Sequence, residues 1–208
     1  MKTKIINIIL VITFITISCD NKKESTYYNN LRQKYNPIFV SHFPKTIEKG
    51  HIDITENGEY DVTRLFLTIK NSITNFKSIT DSIKNNSVAN YSAKDTCLFV
   101  VNKFTTEQNY TQKRKANLKD ISSYLDSKCL LNKVPIANFW GLYENSETLC
   151  NLPENFNIFV LETKKGKFWD AKHISNGKYM PNYWKHGYSK GVAIDESTDE
   201  IIYWFVLW

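Results

Sequence analysis

The segment from Gly191 to Trp208 constrains the fold of this chain more than any other. Two apolar runs, Gly191–Asp195 and Glu200–Trp208, flank the polar stretch Glu196–Asp199, as two antiparallel strands flank a turn. From Ile201 onward both the odd-numbered and the even-numbered residues are apolar, so both faces of this strand are apolar. We therefore predict a C-terminal β-hairpin whose last strand lies inside a sheet and is covered on both sides.

Other segments have the periodicity of helices or the composition of strands. Apolar residues recur at helical spacing in three segments, which are Tyr27–Asn36 (ended by Pro37), Ile73–Ile83 and Leu118–Cys129. Strands are predicted over residues 61–69, 97–101 and 157–162, the last with a turn at 164–166 and a return through 167–170. Strands with helices between them predict an α+β single domain with a largely antiparallel sheet and about three helices; parallel βαβ winding is the alternative.

The N-terminus has the order of a secretory signal, which is charged, then apolar, then small. Lys2 and Lys4 precede an apolar run from Ile5 to Ile17, which is followed by Ser18. This run is shorter than the ~20 apolar residues that a membrane-spanning helix needs, so a permanent transmembrane anchor is the weaker interpretation. We predict that residues 1–18 are a signal peptide.

The end of this signal, Thr16-Ile17-Ser18-Cys19, resembles the lipobox of bacterial lipoproteins. In that family a small residue precedes an acylated cysteine; Ser18 and Cys19 match, whereas Thr16 stands where the family usually carries Leu. The resemblance implies that Cys19 bears acyl chains such as palmitate and holds the protein on a bacterial membrane. The expected location is the cell envelope, on the outer membrane rather than the inner one, with the domain in the periplasm or on the cell surface. An ordinary secretory signal is the alternative.

The rest of the chain divides into a tether and a domain. Residues 19–26 are polar and lack large apolar side chains after the cysteine, which is typical of a lipidated tether. Residues 27–208 are long enough for a single α+β globular domain, and an aromatic content of 14% supplies large side chains for its core.

The charge pattern argues against a nucleic-acid partner. The formal net charge of +6 includes Lys2 and Lys4 of the signal, and the remaining basic residues are interspersed with acidic ones. A nucleic-acid reader would show a basic face or stripe within a recognisable module. The expected partners are instead the membrane, through the lipid on Cys19, and another protein of the envelope.

One short motif is typical of a catalytic site. Gly187-Tyr188-Ser189-Lys190-Gly191 has the G-x-S-x-G pattern of the nucleophile elbow in α/β-hydrolases. That elbow needs a helix after it and an acid and a histidine later in the chain, yet a strand hairpin follows here and no histidine lies beyond His186. We therefore predict no catalytic residue. The two glycines are interpreted as turning a loop tightly into the hairpin, with Ser189 exposed or bonded to backbone.

Metal and cofactor motifs are missing from the sequence. The four histidines form neither an i, i+4 pair nor the cysteine–histidine spacing of a zinc site. Asp195-x-Ser197-x-Asp199 is similar to the start of a calcium loop, but Glu200 stands where that loop requires Gly. With no Gly-rich phosphate loop either, we predict no metal and no cofactor.

Three cysteines follow Cys19, so at least one of them is unpaired within the chain. We predict a disulfide between Cys129 and Cys150, which flank a loop. Cys97 is expected to be inert, because an apolar strand would bury its thiol and raise the pKa. A Cys–His protease is disfavoured for the same reason.

The segment Met180–Tyr188 carries the candidate binding residues, which are Tyr183, Trp184, His186 and Tyr188. Tyr and Trp combine a large apolar face with a hydrogen-bonding tip, which suits a protein contact or a sugar ring. The alternative is that these aromatics turn inward and cap the core, which is the more usual place for Trp.

Two functions remain open. The favoured hypothesis is a lipid-anchored, non-catalytic binding or interaction module of the envelope, which neutralises or scaffolds another protein. The alternative is an envelope hydrolase acting on glycan or peptide, whose site is assembled only in the fold. The acids Asp53, Glu56, Glu59 and Asp61 are candidates for that site, although a polar loop before a strand also explains them.

Overall fold

The computed structural model describes residues 25–47, 51–57, 62–70, 75–104, 118–144, 146–169 and 180–208; within 51–57 and at Leu118 it describes the backbone alone. The predicted signal peptide, Cys19, Glu59, Asp61 and the predicted start of the second helix lie outside the described residues. The chain divides into two compact units, Met1–Lys49 and Gly50–Trp208.

The described part of the N-terminal unit contains two helices, α1 over residues 25–34 and α2 over Pro37–Val40. The first confirms the helix predicted to end before Pro37, and it includes the last two residues of the predicted tether. Pro37 occupies the first turn of α2, where its missing N–H needs no partner, and the Asn36 side chain accepts a hydrogen bond from the Ile38 N–H at 3.0 Å. The Tyr28 hydroxyl donates to the Pro44 carbonyl at 2.5 Å, which ties the helix to the segment that follows α2.

The second unit contains a six-stranded sheet in which every neighbouring pair is antiparallel. In spatial order the strands are β1 His51–Asn57, β2 Thr63–Lys70, β6 Glu200–Leu207, β5 Gly187–Asp195, β4 Asn157–Lys165 and β3 Ala89–Ser92. The α+β class with a largely antiparallel sheet is thereby confirmed, and parallel winding is wrong. Strand β1 was not predicted, since its polar residues were interpreted as a loop.

Two further helices belong to this unit, which brings the described α-helices to four. Helix α3, Phe76–Asn86, packs against β4 and buries Thr80 and Ile83. Helix α4, Leu118–Leu125, is followed by a 3₁₀ turn over Lys128–Leu130, so the predicted helix to Cys129 is shorter than expected. None of the helices in the described part of the chain is long and apolar enough to cross a bilayer.

The C-terminal hairpin is confirmed. Strands β5 and β6 flank a turn over residues 196–199, and the Asp195 carboxylate closes it by accepting hydrogen bonds from the Ser197 N–H at 2.9 Å and hydroxyl at 2.6 Å. Strand β6 pairs with β2 on one side and β5 on the other, and all eight of its residues are buried. This confirms the prediction, made from its apolar pattern, that β6 is an inner strand covered on both faces.

The apolar run 97–101 is buried from Leu98 onward but does not form the predicted strand. It makes one isolated parallel bridge, from Val100 to Ile136, instead of joining the sheet. The Tyr124 hydroxyl holds this run in place by donating to the Leu98 carbonyl and accepting from the Val100 N–H, both at 2.8 Å. Backbone groups that the sheet would have paired are thus satisfied by a side chain of α4.

The run lies in the core that covers one face of the sheet. Phe139 joins the loop segment of this core to the sheet: its ring lies 5.2 Å from that of Phe66 on β2 and 5.9 Å from that of Trp204 on β6. Full burial of a side chain of this size contributes about 1.5–3 kcal/mol, so these rings are major terms in the stability of the unit.

Two local predictions are wrong. The described residues 167–169 form no return strand beside β4, whose partners are β3 and β5. The disulfide joins Cys97 to Cys129, with Cα atoms 6.0 Å apart, and Cys150 is a buried free thiol. Cys97 is available to the bridge because it stands half-buried at the start of the apolar run, whereas Cys150 lies in the core.

Candidate functional site

The G-x-S-x-G motif lies within strand β5 and not in an elbow before a helix. Ser189 is fully buried, and its hydroxyl donates a 2.6 Å hydrogen bond to the Pro135 carbonyl, one of the two arrangements expected for it. The glycines serve close packing and not a turn, which corrects the prediction. A Cβ on Gly191 would stand 2.1 Å from the Phe159 carbonyl oxygen, a distance that no side chain can occupy.

The four predicted binding residues do not share one exposed surface. Tyr183 is 46% exposed and His186 is half-buried, whereas Trp184 and Tyr188 are buried. For Trp184 and Tyr188 the alternative expectation therefore holds. Trp184 caps the core in a 3₁₀ turn over Asn182–Trp184, with its ring 5.8 Å from that of Trp208.

Tyr183 nevertheless stands in a group of lysines and aromatic rings. The Lys165 ammonium lies 5.5 Å from the centre of the Tyr183 ring and 5.0 Å from that of Trp184. The Lys103 ammonium lies 4.4 Å from the centre of the Tyr124 ring. These distances are typical of cation–π contacts.

The two pairs are connected through Phe99: its ring lies 6.4 Å from that of Trp184, and the residues on either side of it are hydrogen-bonded to the Tyr124 hydroxyl. Burial raises the pKa of the Tyr124 hydroxyl; the hydrogen bond from the Val100 N–H opposes this rise, and the nearby Tyr183 adds to it. Burial also lowers the pKa of the Lys103 ammonium. We call the group formed by Lys103, Tyr124, Lys165 and Tyr183 the Tyr183 surface.

Basic charge extends beyond this group. Exposed lysines lie at the end of β4, just after it and shortly before the start of β5, at Lys164, Lys165, Lys167 and Lys185. Within the part of the chain that the structure describes, no carboxylate lies within salt-bridge distance of any of the four. This end of the sheet is therefore a positively charged surface with an exposed aromatic ring.

Glu162 lies on β4 near these lysines and already has an ion-pair partner and a hydrogen-bond donor. Glu162 accepts a 2.8 Å ion pair from the buried Lys190 and a hydrogen bond from the Tyr188 hydroxyl. Burial raises the pKa of Glu162, but the hydrogen bonds from Lys190 and Tyr188 and the charges of Lys190 and Lys164 outweigh it and bring the pKa below its usual value. Burial and the Glu162 carboxylate together raise the pKa of Tyr188.

Neither the free thiol nor the acidic and histidine side chains of the described residues form a recognisable reactive site. Burial raises the pKa of the Cys150 thiol, which keeps it protonated and unreactive. Among the described residues, no three His, Cys, Asp or Glu side chains are grouped closely enough to hold a metal ion. Asp53 and Glu56 lie on β1, away from the lysines in strand order.

Sequence reasoning found Tyr183 but missed Lys103, Tyr124 and Lys165. The pair Lys164-Lys165 was visible as a turn signal, whereas no local pattern links Lys103 to Tyr124, because α4 brings them together. Comparison with protein families, with curated proteins and with solved structures finds no match for this chain, so these residues themselves are the basis for its function.

Proposed function

We propose that this protein is a lipid-anchored, non-catalytic binding module of the bacterial cell envelope, which engages another envelope protein through the Tyr183 surface. The observation that carries the proposal is the exposed ring of Tyr183 among lysines that have no carboxylate partner in the described chain. Tyrosine is enriched at the centres of protein interfaces because it buries a large apolar area and keeps a polar tip.

The basic surroundings favour an acidic partner. Uncompensated charge at the rim of an interface steers association and selects partners of opposite sign. A buried serine bonded to a carbonyl and a glutamate held by two donors lend no support to the hydrolase alternative.

The lipid anchor is tested independently of the partner. Cells grown with an alkyne analogue of palmitate should incorporate the label into the native protein but not into a Cys19→Ser variant. Equal labelling of both proteins, or labelling of neither, would contradict an anchor at Cys19.

The binding surface is tested by cross-linking in intact cells, followed by capture and mass spectrometry. The test variant is Lys165→Glu with Tyr183→Ala; the matched control is Lys77→Glu with Leu131→Ala, which changes an exposed lysine and an exposed apolar residue elsewhere. We expect one acidic protein to be recovered with the native and control proteins and lost with the test variant. Equal recovery with all three, or no cross-linked protein, would overturn the proposal.

A further inference from the structure

Strand β4 extends beyond its neighbour on one side. It pairs with β5 along its length, from Asn157 to Lys165, but β3 covers it only from Asn157 to Val160. One further backbone hydrogen bond on that side runs from the Val88 N–H to the Val160 carbonyl, at 2.8 Å. No described strand pairs with the outer edge of residues 161–165, so the backbone donors and acceptors of that edge have no strand partner within the described part of the chain.

This open edge leads directly into the Tyr183 surface. Lys165 belongs to both, since it ends β4 and its ammonium lies over the Tyr183 ring. Successive residues of a strand point to opposite faces, so Lys164 and Lys165 place positive charge on both sides of the edge. Lys164 accordingly contacts a different ring, that of Phe168, at 5.9 Å.

The β-bulge and the lysines of this edge disfavour pairing with some strands. A register shift between Val160 and Glu162 marks a β-bulge at the point where the edge opens, and bulges and lysines are devices by which proteins prevent sheets from joining edge to edge. A second copy of this chain would be disfavoured in any register that sets its own lysines against Lys164 and Lys165. Like charges directly across a strand pair are destabilising, whereas opposite charges are stabilising.

The geometry points to one kind of partner: we propose that an extended, acidic segment of the bound protein adds to the sheet as a strand along residues 161–165. This inference rests on the proposed function and specifies how its surface is used. Backbone hydrogen bonds would supply affinity, and acidic side chains at alternate positions, which share one face, would select the segment by pairing with the lysine on that face. The Tyr183 ring would then contact residues at one end of the added strand.

The first experiment uses synthetic peptides as probes with the full chain. The test probe alternates Glu and Val; one control alternates Lys and Val, and two others carry the acidic sequence N-methylated at odd or at even residues. N-methylation removes the peptide's donors on one edge, so one of these two controls cannot pair in the productive direction. Affinity is measured by calorimetry, and backbone protection by hydrogen–deuterium exchange.

We expect the acidic peptide to bind and to slow exchange at amides within residues 161–165. The basic peptide and one N-methylated peptide should bind at least tenfold more weakly, and a Lys164→Glu, Lys165→Glu variant should lose the acidic peptide while Lys77→Glu keeps it. Binding without protection at residues 161–165, equal binding of both N-methylated peptides, or no binding of the acidic peptide would each overturn strand addition.

These outcomes separate the two proposals. If the in-cell partner is lost with the Lys165→Glu, Tyr183→Ala variant but the peptides give no protection of the β4 edge, strand addition is wrong and the Tyr183 surface stands. If no partner is cross-linked in cells, the proposed function fails whatever the peptides do.

Discussion

The Lys190 ammonium lies 2.8 Å from the Glu162 carboxylate, and only 8% of the lysine side chain is exposed. Removal of the acid would take an ion-pair carboxylate away from a buried positive charge. Because 42% of the Glu162 side chain is exposed, solvent screens part of this loss, and we expect Glu162→Gln to destabilise the fold by about 1–2 kcal/mol at neutral pH.

The same pair gives a pH dependence with a defined sign. The pKa of Glu162 is lowered in the folded state, so its contribution is complete above the unfolded-state pKa and is lost as the pH falls through the folded-state pKa. The difference in free energy of unfolding between the native protein and Glu162→Gln should therefore shrink below about pH 4. Urea unfolding at several pH values measures it, with Glu154→Gln as control, since the 3.7 Å pair of Glu154 with Lys94 is exposed. A difference that stays constant with pH would contradict the prediction.

The Cys97–Cys129 disulfide should stabilise the fold substantially. It closes a loop with a sequence separation of 32, for which the loss of chain entropy in the unfolded state gives about 3–4 kcal/mol. Dithiothreitol should lower the urea midpoint of the native protein and leave a Cys97→Ser, Cys129→Ser variant unchanged. An unchanged midpoint for a fully reduced native protein would show that the bridge adds no stability.

Ser189 is expected to be structural. Ser189→Ala removes the hydrogen bond to the Pro135 carbonyl and should cost about 1–2 kcal/mol in urea unfolding. A fluorophosphonate probe, which reacts with nucleophilic serines, should leave Ser189 unlabelled in peptide mapping. Labelling at this serine would revive the hydrolase hypothesis.

Gly191 is required by close packing and not by backbone conformation. Gly191→Ala places a methyl group against the Phe159 carbonyl oxygen and 2.7 Å from the Trp204 ring, and should destabilise by about 3 kcal/mol or more. Gly141→Ala is the control: its φ of +91° makes alanine unfavourable by about 1 kcal/mol, but no atom stands within 4 Å. Thermal melts that rank the two variants in the opposite order would refute this account.

The parts of the fold that were predictable are those set by local pattern. Apolar residues on both faces of β6 require cover on both sides, and the polar turn before it fixes the hairpin. The run 97–101 has the same composition as a strand, but a Tyr124 hydroxyl from a later helix satisfies its backbone, and no local pattern announces that contact. The cysteine pairing was wrong for a related reason, because it assumed that this run lay within the sheet.

The candidate surface was predictable only in part. Tyr183 was identified from composition, but the prediction placed the start of β5 at Gly191 instead of Gly187. That shift puts Tyr188 inside the sheet and turns a supposed surface residue into a buried donor to Glu162. Lys103 reaches the surface through contacts between segments distant in sequence, which periodicity does not describe.

The position of β6 between β2 and β5 sets the order of events during synthesis. Strands β1 and β2 leave the ribosome long before the strand that joins them to β3, β4 and β5. Until residues 200–207 emerge, the nascent chain holds two separate strand groups with open inner edges. Such a chain remains dependent on protection against aggregation until β6 is in place, and a chain interrupted before Glu200 would hold an incomplete sheet that cannot close.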